Sequence, residues 1–177
     1  MNSRKLSLYI AMSLDGYIAT PDDDLSWLSI VETKGEDYGY SEFIATVDTV
    51  ILGKRTYDKV LSMGVGFPHA NDKDCYIITR TPQEHIGNIK FYTGNLKELV
   101  TRLKAEEGGT IFCDGGAQVI KMLLQDNLID EFIISIIPIL LGDGIPLFHS
   151  GIPEQQVQLV NTKSFKSGLV QLHYTRK

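Results

Sequence analysis

Only two cysteines stand in 177 residues, Cys75 and Cys113, each inside an apolar run and neither with a partner at metal-ligand spacing. They read as buried structural thiols. The four histidines, His69, His85, His149 and His173, are scattered without an H-x-x-x-H or C-x-x-C neighbour, so no metal site is expected. Basic residues are in deficit, 17 against 22 acidic, for a formal net charge of −5. That balance argues against a nucleic-acid surface, which needs basic stripes. Long hydrophobic runs are missing too. The longest, Phe132 to Leu141, is interrupted by Ser135 and Pro138 and is far short of the roughly 20 residues that span a bilayer. A strand-like run within the first six residues leaves no room for a signal peptide, so a cytoplasmic protein without membrane contact is expected. With 43% apolar and 22% charged residues the chain is of ordinary globular composition. One domain over residues 1–177 is expected, with a small molecule as ligand.

In order, Leu6, Leu8, Ile10 and Met12 alternate with Tyr9 and Ala11, the pattern of a central strand apolar on both sides. Asp15-Gly16 makes a turn, Tyr17-Ile18-Ala19 resumes an extended character, and Pro21 to Asp24 reads as a solvated loop. Helical spacing of Tyr40, Phe43, Ile44 and Val47 predicts a helix over 37–47. Short strands follow at Thr49–Leu52, Cys75–Thr79 and Ile89–Tyr92, with a helix from about Tyr57 to Ser62 and a long loop over 63–74. Asn95 and Glu98 have capping-box spacing, and Leu96, Leu99, Val100 and Leu103 form one apolar face of a helix to about Glu107. A strand from Thr110 then enters Gly115-Gly116 and a helix with Val119, Ile120, Leu123 and Leu124 on one face. After Asp130 the alternation gives way to three strands, near 132–138, 156–162 and 170–175. The fold class is α/β, a mostly parallel central sheet between helical layers with an antiparallel C-terminal addition.

In such sheets ligands sit outside the carboxyl ends of the strands. Three strands here end in groups suited to phosphate: Gly53-Lys54-Arg55-Thr56, Thr79-Arg80, and Gly115-Gly116 running into Ala117 and Gln118, the first helical N–H groups. The G-x-G-x-x-G fingerprint and the P-loop are absent, as is an acid placed for a ribose hydroxyl. Cations at those strand ends suit a 2′-phosphate, so NADPH is expected over NADH.

These residues resemble the dihydrofolate reductase-like superfamily, and most closely the C-terminal reductase domain of the riboflavin-biosynthesis deaminase–reductase. The resemblance runs through Ala11 to Ala19, Asp48 to Tyr57, Asp114-Gly115-Gly116, Leu128 to Glu131 and Pro138 to Gly144. It implies a dihydrofolate reductase-like three-layer sandwich. It also implies hydride transfer from NADPH to a nitrogen heterocycle, of the 5-amino-6-(5-phosphoribosylamino)uracil reductase type. By the same resemblance Gly53, Lys54, Arg55 and Thr56 would meet the adenosine-side phosphates and Thr79 and Arg80 the 2′-phosphate. Gly115, Gly116, Ala117 and Gln118 would meet the pyrophosphate, and Ala11 and Ile18 would flank the nicotinamide. Asp15 would face the substrate as catalytic residue and, if poorly solvated, supply the proton. Dihydrofolate reductases hold the pterin with an acid on the first helix, where this chain has Gly39, and the zinc deaminase signature of the fused enzymes is absent from this sequence. Two alternatives stand beside this expectation: a pterin reductase, and a non-catalytic NADPH-binding protein of the same fold. A homodimer is a candidate assembly, since Phe132 to Leu141 is long enough to supply an interface as well as core.

Overall fold

The computed structural model describes residues 4–64 and 66–177, so of the expected loop over 63–74 residue 65 lies outside the described residues, as do residues 1–3 of the expected N-terminal run. In chain order the strands are β1 (Leu6–Ser13), β2 (Tyr17–Ala19), β3 (Val47–Gly53), β4 (Asp74–Ile78), β5 (Ile89–Tyr92), β6 (Thr110–Gly115), β7 (Glu131–Ile137), β8 (Ile145–Pro146), β9 (Val157–Ser164) and β10 (Val170–Arg176). The helices are α1 (Tyr40–Ala45), α2 (Lys54–Ser62), α3 (Leu96–Ala105) and α4 (Ala117–Gln125), with a 3-10 helix at Ser26–Val31 that periodicity did not signal.

Eight strands form one sheet in the order β5-β4-β3-β6-β1-β7-β10-β9. The six from β5 to β7 are parallel, and β10 and β9 add antiparallel to β7. β2 and β8 pair separately. The alternating apolar residues of β1 explain why it is central: Leu6 and Leu8 are fully buried under α3 and α4, against Leu99, Leu103, Ile120 and Leu123. On the other face, Val50, Leu52 and Phe112 pack under Phe43 of α1 and Tyr57 of α2. A third cluster, Trp27, Val31, Ile137 and Leu169, closes the carboxyl end of β7 under the 3-10 helix. The expected cap of α3 is present, with the Asn95 side chain accepting a hydrogen bond from Glu98 N at 3.1 Å.

One expectation is corrected here. α2 begins directly at Lys54, so Lys54, Arg55 and Thr56 form its first turn rather than a loop before it. The run Phe132 to Leu141 lies mostly within β7, hydrogen-bonded to β1 on one side and β10 on the other, with Phe132, Ile134 and Ile137 buried. Leu140, 67% exposed, leaves the end of the run at the surface. Both cysteines are buried, and burial pushes each thiol up to about 12. No helix among the described residues is long and apolar enough to cross a membrane.

The amino-terminal edge of the sheet is tied by a charged network. The Arg4 side chain, 5% exposed, pairs with Asp48 and donates to Thr49 Oγ1 at 2.8 Å and to the Gly109 carbonyl at 2.9 Å. Asp48 also accepts from Gly109 N at 2.6 Å.

Candidate functional site

β6 comes late in sequence yet lies between β3 and β1, so chain order reverses at this point of the sheet. The crevice outside the carboxyl ends there is where open α/β sheets bind ligands. Glycines let its walls pack closely. Gly115 has φ +100°, and a Cβ at Gly116 would lie 2.8 Å from Thr56 Oγ1. A Cβ at Gly53 would meet Val119 Cγ2 at 3.3 Å and the Gly116 nitrogen at 3.7 Å. The amino termini of α2 and α4 therefore converge, and the first N–H groups of each, including those of Ala117 and Gln118, have no intrahelical acceptor. Gly53 stands opposite Ile78 in the parallel ladder, which puts Thr79 and Arg80 just beyond, on the same rim. The Gly115–Gly116 peptide is cis.

The cations behave less simply than the sequence suggests. Lys54 Nζ is held by Asp58, at 2.6 and 2.7 Å to its two oxygens, and Arg55 pairs with Asp23 from the loop after β2. Arg80 forms no ion pair with the described residues. An anion at the helix termini would find Arg80 available and would compete with Asp58 and Asp23 for the other two. Ala11 and Ile18 pack against different clusters, Ala11 with Trp27 and Ile137, Ile18 with the core under α3 and α4.

Asp15 is exposed and does not meet the condition for a proton donor. Its carboxylate accepts from Ser13 Oγ at 2.5 Å, from Leu141 N at 3.1 Å and from Gly142 N at 2.7 Å. These bonds, that of Ser13 first, stabilise the ionised form and hold the group below the usual carboxylate range. Asp15 instead pins the segment after β7 against the end of β1.

The acid that the sequence did not single out is Asp114. The register between β3 and β6 runs Ile51 to Cys113 and then Leu52 to Gly115, so Asp114 is the extra residue of a bulge. Bulges re-aim side chains, and they recur beside active sites. Asp114 is half-buried and makes no hydrogen bond through its side chain to the described residues, and burial pushes its carboxyl up to about 7. Its charge is felt by Tyr40, whose hydroxyl is pushed up to about 12, first by burial and then by Asp114. Tyr40 sits edge-on to Tyr9, 5.6 Å between centroids, and Tyr9 stacks on Phe43 at 4.7 Å. An acid half-protonated near neutrality thus lies beside an aromatic wall, next to a double helix N-terminus suited to phosphate. Gly39 caps α1 with φ +84° and brings no side chain to this wall. The only sequence signal was an acid closing a buried strand immediately before two glycines.

Residues 4–171 match the RibD C-terminal domain. The uncharacterized protein YwjB of Bacillus subtilis (strain 168) is 45% identical over 174 residues, 98% of each chain. Among solved structures, a putative riboflavin biosynthesis protein from Shewanella sp. PV-4 superposes with a TM-score of 0.88 at 30% identity, covering 98% of this chain and 99% of that one. The diaminohydroxyphosphoribosylaminopyrimidine deaminase/5-amino-6-(5-phosphoribosylamino)uracil reductase of Thermotoga maritima matches at 16% identity with a TM-score of 0.73, over 99% of this chain and 57% of its own, a likeness of fold.

Proposed function

The chain belongs to the RibD C-terminal domain family, and from that premise we propose that it is an NADPH-dependent reductase of a ribosylamino-pyrimidine, of the 5-amino-6-(5-phosphoribosylamino)uracil type. The observation that carries the reading is Asp114, a carboxyl held near neutrality at the bulge of β6 beside two converging helix termini. Reduction of a carbon–nitrogen double bond needs a hydride at carbon and a proton at nitrogen, and a donor with a pKa near the working pH is the efficient one. NADPH, when bound, supplies the hydride.

The residues present fit that cofactor. Gly116 leaves no room for a side chain against Thr56, so the amino termini of α2 and α4 lie close together and their free N–H groups would serve one pyrophosphate. Arg80, unpaired on the rim, is the group for the 2′-phosphate. Arg80→Ala is expected to weaken NADPH by about 10- to 100-fold, the worth of one charge-assisted hydrogen bond, and to leave NADH nearly unchanged. Fluorescence titration with both cofactors checks this, and equal losses would remove the 2′-phosphate assignment.

Asp15 acts as a positioning residue through the Leu141–Gly142 backbone. An Asp15→Asn variant keeps one acceptor and sets an N–H against a backbone N–H. It is expected to lower kcat/KM by roughly tenfold while the shape of the pH profile stays that of the parent.

The direct test is NADPH oxidation by the purified protein with the ribosylamino-pyrimidine and, in parallel, with dihydrofolate. Turnover of the pyrimidine is the expected result. Turnover of dihydrofolate alone would assign a pterin reductase, and tight NADPH binding without turnover on either would assign a non-catalytic binder.

A further inference from the structure

A second cavity of about 390 Å³ lies toward the amino-terminal end of the same strands, between α1 and the β9–β10 hairpin, and shares Tyr9 and Phe43 with the aromatic wall beside Asp114. The register builds it row by row. Tyr9, Ile133, His173 and Asn161 stand side by side across β1, β7, β10 and β9, and Gln171 faces Lys163 in the next row. Helices cover the β3–β4–β5 half of this face and leave these four strands to form an open floor.

The floor is polar and yet recessed. Ser7 is fully buried, and the Glu131 and His173 side chains are 17% and 28% exposed. Glu131 accepts from Ser7 Oγ at 2.7 Å and meets His173 Nε2 at 2.8 Å, so both its oxygens are engaged. A carboxylate bonded to one imidazole nitrogen fixes the ring and leaves the other to face a ligand. His173 Nδ1 has no hydrogen-bond partner among the described residues. Lys5 and Lys163 line the same cavity, and neither takes part in an ion pair with the described residues. Glu42, carried by α1, is the carboxylate lining the cavity that Ser7 and His173 do not engage. Two ammonium groups against that single uncommitted carboxylate favour an anion, and His173 Nδ1 would donate to it only with both ring nitrogens protonated. No cluster of three metal-ligating side chains occurs among the described residues.

We propose that this groove is a second binding site, separate from the cofactor crevice, and that it takes the phosphate of a small phosphomonoester between Lys5, Lys163 and His173. A phosphomonoester is close to a dianion at neutral pH, so it satisfies two lysines where a carboxylate satisfies one. The volume lies in the range of small-ligand pockets.

The test follows the four histidine imidazoles by nitrogen–proton NMR, with His173 assigned from His173→Gln. Ribose 5-phosphate, inorganic phosphate, ribose and acetate are the probes. Saturable movement of His173 with the first two, and none with ribose, is expected. The Lys5→Gln/Lys163→Gln pair should weaken that response by about 100-fold, roughly tenfold per lysine, with NADPH affinity unchanged. A response to ribose 5-phosphate but not to inorganic phosphate, still lost in the lysine pair, supports the site and assigns it to the ester. No saturable shift, an equal response to acetate, or an unchanged response in the lysine pair would overturn the proposal. A His173 signal that responds only after a dimer dissociates would give the groove to a second copy of the chain and overturn it as well.

Discussion

An Asp114→Asn variant is expected to lose about 10²- to 10⁴-fold in kcat, the usual worth of a positioned general acid, with NADPH binding nearly intact. The carboxyl must be protonated to donate, and it titrates near 7 because burial disfavours its charge. In the parent protein kcat should therefore fall as pH rises through that value, and the variant should lack this limb. A stability effect of opposite sign accompanies the loss. In the unfolded chain Asp114 takes its ordinary value of 3.8, so between there and about 7 the folded state holds the proton more tightly. Stability of the parent then falls as pH rises through that window, and the full cost is present above it. Asparagine carries no charge to desolvate. The variant should melt above the parent at pH 8, and the gap should close towards pH 4. A variant that keeps its activity, or that melts lower at pH 8, would remove Asp114 from this role.

Asp48→Ala is expected to cost about 3 kcal/mol of stability, or some 6–12 °C in Tm for a chain of this size. The loss leaves the guanidinium of Arg4, 5% exposed, without its carboxylate and Gly109 N without its acceptor. Asp48 is itself 45% exposed, which keeps the cost at the lower end of the range for buried pairs. Replacing both charged groups, as Arg4→Met/Asp48→Leu, should recover the part of the loss that lies in the uncompensated charge, while Gly109 still lacks its side-chain partners. Cofactor affinity should not move in either variant, since the network sits at the amino-terminal edge of the sheet and the glycine junctions at the carboxyl edge. Denaturant titration beside cofactor titration separates the two effects.

Much of the architecture was legible because it is written in local periodicity. The alternating residues of β1, the Asn95 cap and apolar face of α3, and the change to hairpin strands after Asp130 all appear where expected. Periodicity carries no information about lateral order, and the insertion of β6 between β3 and β1 was not readable from it. The two-residue strand β8, which pairs with β2, is too short to leave a pattern. The glycines of the crevice were legible for a related reason: a Cβ at Gly53 or Gly116 would crowd Val119 or Thr56, Gly115 takes a positive φ, and few other residues answer those demands. Titrating groups were read least well. Asp15 and Asp114 are both acids at strand ends, and only tertiary contacts separate them. One accepts three hydrogen bonds in an exposed turn and stays ionised, while the other is lifted out of register by a bulge and loses solvent.

The place of β6 also sets an order of assembly. During synthesis β1, β3, β4 and β5 all leave the ribosome before β6 exists, and β1 and β3 do not touch in the finished sheet except through it. Both strands that flank β6 are thus synthesised before residue 116, and β7 comes later still, on the far side of β1. A truncated product ending near residue 95 would carry Gly53, Arg55 and Arg80 but no Gly115 or Gly116 to complete the crevice. A cofactor bound as proposed at this crevice would favour full-length molecules over interrupted ones.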